Sequence, residues 1–357
     1  MPIRLSVRPA SVVALLTFSL VVAPGTSSAQ ASPVSAISAQ DLRRWERDLQ
    51  ADLIAEKFDS LDQIAGQLRM DKTRLAGGSW QLRLFYNTLD APEQTEHDSS
   101  EHIAHLEHWM AQRPNSITAR VALATGLARW AWVARGHDYA DTVTPEGGRL
   151  FHERMTEAQT ILEGSQKMPA MCPQWFSTMM DVAVAQGWNR EQMHKVMEDG
   201  IRFEPGYYYL YIQYANYLLP QWYGQDGETS KFVGATADAV GGNAGDMLYF
   251  QVASVLIRRG DEDFAVHEMD WQRLQRGYQA LLSQYGSTGY LENKLAFMAW
   301  KFEDAAVAHQ QFTLIGDNWE AGVWGDRNYF DRARDWAQSP TPALLPGQGQ
   351  SPPAVIH

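Results

Sequence analysis

The sequence predicts an all-α protein whose helical hairpins stack as a degenerate tetratricopeptide-like alpha-solenoid. Three observations predict it. Apolar residues recur at helical spacing, i, i+3, i+4 and i+7, along most of the chain. Pro114, Pro173 and Pro205 stand at helix starts, each before a pair of short amphipathic segments. The interval of 32 residues from Pro173 to Pro205 is close to the tetratricopeptide period of roughly 34. Other intervals are irregular, so a non-repeating helical bundle stays open as an alternative. Repeated hairpins with Gly and Pro at the joints favour the solenoid, in which each hairpin buries its face on the next.

Residues 1–31 read as a secretory signal peptide. Arg4 and Arg8 make the charged start, and Val12 to Val22 is an apolar run too short to span a bilayer comfortably. Cleavage after Ala29 or Ala31 fits the small residues there, and Pro24-Gly25 argues against an uncleaved anchor. Residues 32–40 are small and polar, a disordered leader. Residues 41–338 form the helical-repeat domain, and residues 339–357, rich in Pro, Gly and Gln, form a disordered tail. Later segments lack the apolar length of a membrane span. Export to the periplasm follows as the expected location.

Net charge is −12, and loss of Arg4 and Arg8 with the leader takes it to −14. That balance argues against nucleic acid and anionic membrane surfaces as main partners. Cys172 is the only cysteine. An exported chain with a single thiol has no internal disulfide, so its core must hold it together.

In chain order, Leu42, Trp45, Leu49, Leu53 and Phe58 share a helix face. A turn around Asp59-Ser60 leads to a second face of Leu61, Ile64, Ala65 and Leu68, making a hairpin. Gly77-Gly78 breaks the pattern. Trp80 to Leu89 alternates at its start and turns helical later, and helix is preferred because no partner strand is evident. Asp98 or Ser99 caps a helix to Gln112. Ile117 to Ala134 follows, stopped by Gly136. A loop from His137 to Gly147 precedes a helix from Gly148 to Leu162. Pro173 opens a helix to Gln186. Asn189 with Gln192 is a capping-box pattern for a helix closed by Gly200. Beyond Gly227 the expected helices are Ser230 to Val240, Asp246 to Arg259, His267 to Tyr285, Tyr290 to Phe302, Glu303 to Ile315 and Asn328 to Ala337.

The stretch Glu204 to Glu228, EPGYYYLYIQYANYLLPQWYGQDGE, is the centre of the chain. Tyr207, Tyr211, Tyr214 and Leu218 share one face from a helix opened by Pro205 and stopped by Pro220. A second stripe of Tyr208, Ile212, Ala215 and Leu219 makes it a helix buried between neighbours. Trp222 and Tyr223 follow in a loop, where binding residues concentrate. Trp222 is expected to plug the neighbouring hairpin, and Tyr223 to stand more exposed. Trp130, Trp132, Asp138 and Tyr139 are further candidate binding residues, a Trp-rich helix end and the loop after it.

WAWVARGHDYADTVTPEGGRLFHERM (Trp130 to Met155), FEPGYYYLYIQYANYLLPQWYG (Phe203 to Gly224) and IGDNWEAGVW (Ile315 to Trp324) resemble blocks of a bacterial family of exported, tetratricopeptide-like helical proteins classed as a domain of unknown function. The resemblance runs from about Leu42 to Asp326. It implies a helical fold and brings no activity, cofactor or catalytic residue.

Chemistry-bearing motifs are sparse. His97, His102, His105 and His108 cluster with Glu101 and Glu107 without an HExxH, which reads as a solvated helix face more than a metal site. No nucleophile elbow, P-loop or dinucleotide fingerprint appears. Asp138, Asp141 and Glu146 lie in one loop, and Asp226 and Glu228 in another. Glycosidase chemistry would need two such carboxyls facing across a cleft. The expectation is a protein or peptide interaction module without catalysis, cofactor or metal. The alternative is a carbohydrate-active enzyme or sugar-binding protein using the aromatic loops.

Overall fold

The computed structural model describes residues 37–90, 96–136, 143–259 and 268–339. The expected signal peptide, the leader before residue 37, Asp138 and Tyr139, and the tail beyond residue 339 lie outside them. The described residues carry sixteen α-helices and no strand. None of these helices is long and apolar enough to cross a membrane.

Helices α1 (Ala39–Ile54), α2 (Phe58–Asp71) and α3 (Gln81–Thr88) precede the hairpin series. Then come α4 (Glu96–Gln112), α5 (Ile117–Arg135), α6 (Pro145–Ser165), α7 (Pro173–Ala185), α8 (Arg190–Phe203) and α9 (Tyr209–Tyr217). The series ends with α10 (Glu228–Val240), α11 (Gly242–Arg259), α12 (Trp271–Tyr285), α13 (Gly289–Lys301), α14 (Ala305–Ile315), α15 (Ala321–Trp324) and α16 (Arg327–Gln338).

The packing is that of hairpins in series, a solenoid-like all-α fold. Helices α5, α7, α9, α11 and α13 touch one after another as a row, and α6, α8, α10, α12 and α14 each pack back on the row member before them. Neighbouring hairpins thus bury apolar faces that no hairpin could cover alone.

Side-chain caps fix several helix starts. Ser38, Ser116, Thr144, Asn189, Asp270, Thr288 and Asp304 each accept a backbone N–H of the first turn. The capping box at Asn189 and Gln192 forms in both directions. Several expected boundaries shift. The first turn lies at residues 55–57, so Phe58 opens α2 instead of closing α1. Helix α1 starts at Ala39, inside the expected leader, because Ser38 caps it. Helix α6 begins at Pro145, behind the Thr144 cap. Gly147 is no break: it lets α6 press on α5, where a Cβ would sit 2.4 Å from the Ala134 carbonyl oxygen.

Gly200 does not end α8 either. It lies buried inside the helix, and a Cβ there would meet Leu210 Cδ1 at 2.8 Å and Phe176 Cβ at 2.9 Å. The tyrosine helix starts four residues after Pro205, because the turn before it is held elsewhere. The Gly206 carbonyl accepts the indole N–H of Trp80 at 2.9 Å and the Nη2 of Arg74 at 3.2 Å. Tyr207, Tyr211, Tyr214 and Leu218 are buried on the expected face.

One departure from a linear stack matters for function. The connection from Thr73 to Trp80 crosses to elements far along the chain. Gly77 and Gly78, both at positive φ, are in a 3-10 turn (Ala76–Gly78) that packs on α12. A Cβ on Gly78 would lie 2.9 Å from Leu281 Cδ2 and 3.2 Å from Tyr285 Cδ2, so the glycine permits the close approach as well as the backbone angle. Arg74 and Trp80 pair across this connection as an isolated antiparallel bridge, and the residues after Trp80 are helical, as preferred from the sequence.

Candidate functional site

Where α3 and the 72–80 connection lie against the helix row, the contacts are polar. Arg83 of α3 donates from Nη1 to Gln174 Oε1 at 2.9 Å and to Ser177 Oγ at 3.1 Å, both on α7. Tyr207 donates its hydroxyl to the same Gln174 oxygen at 2.6 Å. On α9, Gln213 donates from Nε2 to Asp181 Oδ1 at 2.6 Å and to the Ser177 carbonyl at 3.1 Å, while its own Oε1 is buried without a partner. The Tyr209 ring lies 5.3 Å from the Arg83 guanidinium carbon. Rings of Trp80, Tyr207, Tyr209 and Tyr208 follow one another at centroid distances of 5.1, 5.1 and 4.2 Å. Arg74 caps this column, its guanidinium carbon 3.5 Å from the Trp80 ring centroid.

Electrostatically the seam is rich in donors. Neither Arg74 nor Arg83 forms an ion pair with a carboxylate of the described residues. Glu204, an acid that acts electrostatically on Arg74, is taken by Lys72 at 2.7 Å. Burial holds the Arg74 guanidinium below its ordinary pKa. Burial also pushes the Tyr207 and Tyr208 hydroxyls well above the ordinary phenol value, so both stay protonated donors.

The aromatic loop behaves otherwise than expected. All thirteen tryptophans fall within the described residues, and Trp222 alone is exposed, at 50%; it is no plug. Pro220 ends the helix as expected, but the chain then folds back tightly, with the Trp222 N–H on the Leu219 carbonyl at 2.9 Å and the Tyr223 N–H on that of Tyr217 at 3.2 Å. Gly224 presses on Leu218, leaving the hairpin interior closed and the indole outside. Tyr223 is 44% exposed and stacks on Tyr217, centroids 4.6 Å apart and planes 15° from parallel.

Trp130 and Trp132 are packing groups. Arg154 of α6 covers Trp130 at 3.4 Å, and Phe151 meets Trp132 edge-on at 4.9 Å. The histidines splay apart. His102 Nε2 meets the Leu89 carbonyl at 2.8 Å, whereas His108 Nδ1 meets Glu56 at 2.8 Å. Among the described residues no group of three or more His, Cys, Asp or Glu is placed to hold a metal ion. Cys172 is buried beside the Tyr86 hydroxyl at 3.4 Å.

The seam residues Arg74, Arg83, Gln174 and Gln213 were not singled out by sequence reasoning. A signal existed. Arg83 interrupts the apolar run Leu82 to Tyr86, and Gln174 interrupts Pro173 to Phe176. A polar group inside an apolar helix face has to find a buried partner. Comparison with family models, with curated proteins and with solved structures gives no match for this chain.

Proposed function

We propose that this chain is an exported, tetratricopeptide-like helical-repeat protein of the periplasm that binds another protein or a peptide and performs no catalysis. The observation that carries the reading is the seam between α3 and the helix row. Its guanidinium, amide and phenol groups are of the types that satisfy a peptide backbone; Arg83, Gln174 and Tyr207 already pair with one another, and Gln213 Oε1 is a buried acceptor still without a partner. Affinity capture of the mature protein from envelope extract tests it, with Arg83→Ala and Gln213→Ala run beside the native chain. A co-eluting protein or peptide lost in both variants is the expected result. Capture unchanged by either substitution, or no partner at all, refutes the reading.

A second reading is sugar binding at Trp222 and Tyr223, favoured by an exposed indole next to a stacked tyrosine pair. Hydrolysis of a sugar is less well supported. A general acid needs a carboxyl raised by its surroundings. Among the described residues Glu157 is the carboxyl raised above its ordinary value, by partial desolvation and then by Glu107, and it lies at the surface of α6.

A further inference from the structure

We propose that Arg74, with the hydroxyls of Tyr209 and Tyr285, forms a binding site for a carboxylate group.

The geometry starts from an unbalanced charge. Arg74 is 7% exposed, and its Nη1 is buried with no hydrogen-bond partner among the described residues. Its Nη2 reaches only a neutral acceptor, the Gly206 carbonyl at 3.2 Å. One face of the guanidinium is covered by Trp80. The carboxylate of Glu204 belongs to Lys72, with its other oxygen receiving the Gly206 N–H at 3.3 Å. A buried guanidinium left with two unused N–H donors costs more than a neutral orphan, and a bound anion removes that cost.

The neighbouring hydroxyls point to an anion and not to a cation. Tyr209 accepts from the Tyr208 hydroxyl at 3.0 Å and from the Trp80 backbone N–H at 3.4 Å. Tyr285 accepts from Gln284 Nε2 at 2.9 Å. Each therefore has an acceptor position filled and its own O–H proton without an acceptor among the described residues. Tyr285 is brought to the connection by Gly78, against which its ring lies. Tyr209 is tied to Arg74 through Trp80, whose backbone N–H meets the Tyr209 hydroxyl and whose ring lies under the guanidinium. Tyr208, Tyr209 and Tyr285 are only partly buried, so the edge of this cluster meets solvent while Arg74 Nη1 lies beneath it. Guanidinium N–H groups with flanking O–H donors match the two oxygens of a carboxylate. Its source is either a free small carboxylic acid or the C-terminus of a peptide.

This adds a ligand group to the proposed seam, yet its test needs no partner. The purified mature protein is melted in rising acetate, in rising acetamide as the neutral control, and with a short N-acetylated peptide bearing either a free C-terminus or an amide. Arg74→Met is run alongside. It removes the buried charge at similar volume, an exchange that is commonly neutral or stabilising, so the variant is expected to fold. The expected result is a melting temperature that rises with acetate but not acetamide in the native chain, and no such difference in Arg74→Met. Stabilisation by the free-acid peptide at lower concentration than acetate assigns the site to a peptide terminus. Stabilisation by acetate alone assigns it to small acids. An acetate response equal in Arg74→Met, or absent from the native chain, overturns the proposal. Intact acetate binding with failed envelope capture would overturn the interaction reading and leave this one standing.

Discussion

The indole N–H of Trp80 donates to the carbonyl oxygen of Gly206 at 2.9 Å, joining parts of the chain 126 residues apart. The same ring lies under Arg74 and edge-on to Tyr207, and it is 1% exposed. The link fastens the N-terminal helices to the middle of the helix row. Trp80→Ala should therefore cost about 3–5 kcal/mol, the range for emptying a large aromatic site. Trp80→Phe keeps most of the packing and loses the hydrogen bond, for about 1 kcal/mol, with any orphaning of the Gly206 carbonyl softened by Arg74. Urea unfolding measures both. Equal small losses would mean that the 72–80 connection is not a structural tie.

Two glycines inside helices should respond oppositely to alanine. At Gly200 a Cβ meets Leu210 and Phe176 at under 3.0 Å, so Gly200→Ala forces α8 off α7 and α9 and should cost about 1–3 kcal/mol. At Gly234 in α10 nothing lies within 4 Å of the added carbon. Gly234→Ala should stabilise by about 0.5–1 kcal/mol through the lost freedom of the unfolded chain. Thermal melting of the two variants checks the contrast, and a stabilised Gly200→Ala would contradict the packing described.

Trp222 and Tyr223 should also separate, in the order opposite to the sequence expectation. Trp222 is half exposed and makes no ring stack among the described residues, so Trp222→Ala should change stability by no more than about 0.5 kcal/mol. Tyr223 gives up its stack on Tyr217, and Tyr223→Ala should cost about 0.5–1.5 kcal/mol. A clear loss of stability in Trp222→Ala with none in Tyr223→Ala would restore the buried plug.

Helix spacing and some caps were legible in the sequence because they are local: Asn189 with Gln192, and Gly136, act within one turn of where they stand, whereas Asp98 and Ser99, expected as caps, lie inside α4. The burial of Tyr207, Tyr211 and Tyr214 was legible for the same reason. What lay hidden was every tie made across the fold. Gly77-Gly78 read as a break, and its second role, admitting Leu281 and Tyr285, depends on residues some two hundred positions later. Trp222 misled because hydrophobicity alone says nothing about which side of a turn a ring occupies. Other such ties are Arg154 on Trp130, Gly206 with Trp80, and Trp324 Nε1 on the fully buried Asn293 Oδ1 at 2.7 Å. The seam was missed because its members, Arg83, Gln174 and Gln213, come from three separate helices.

His102 gives a test on the acid side of the stability profile. Its Nε2 meets the Leu89 carbonyl at 2.8 Å, so the neutral ring with Nε2–H satisfies the contact. Burial disfavours the imidazolium; the Leu89 carbonyl partly offsets this and nearby His105 adds to it, and the net pKa lies below the ordinary 6.5. The sign follows from proton counting. Above pH 6.5 both native and unfolded rings are neutral, and the contribution to stability is fully present. As pH falls below 6.5 the unfolded chain takes up the proton first, so stability drops until the native ring also titrates. His102→Gln supplies an amide donor for Leu89 and does not titrate. The native chain should therefore lose more stability than His102→Gln as pH falls below 6.5. Urea midpoints taken across that range measure the difference. Parallel profiles, or a steeper fall in His102→Gln, would show that the ring is not held neutral by burial.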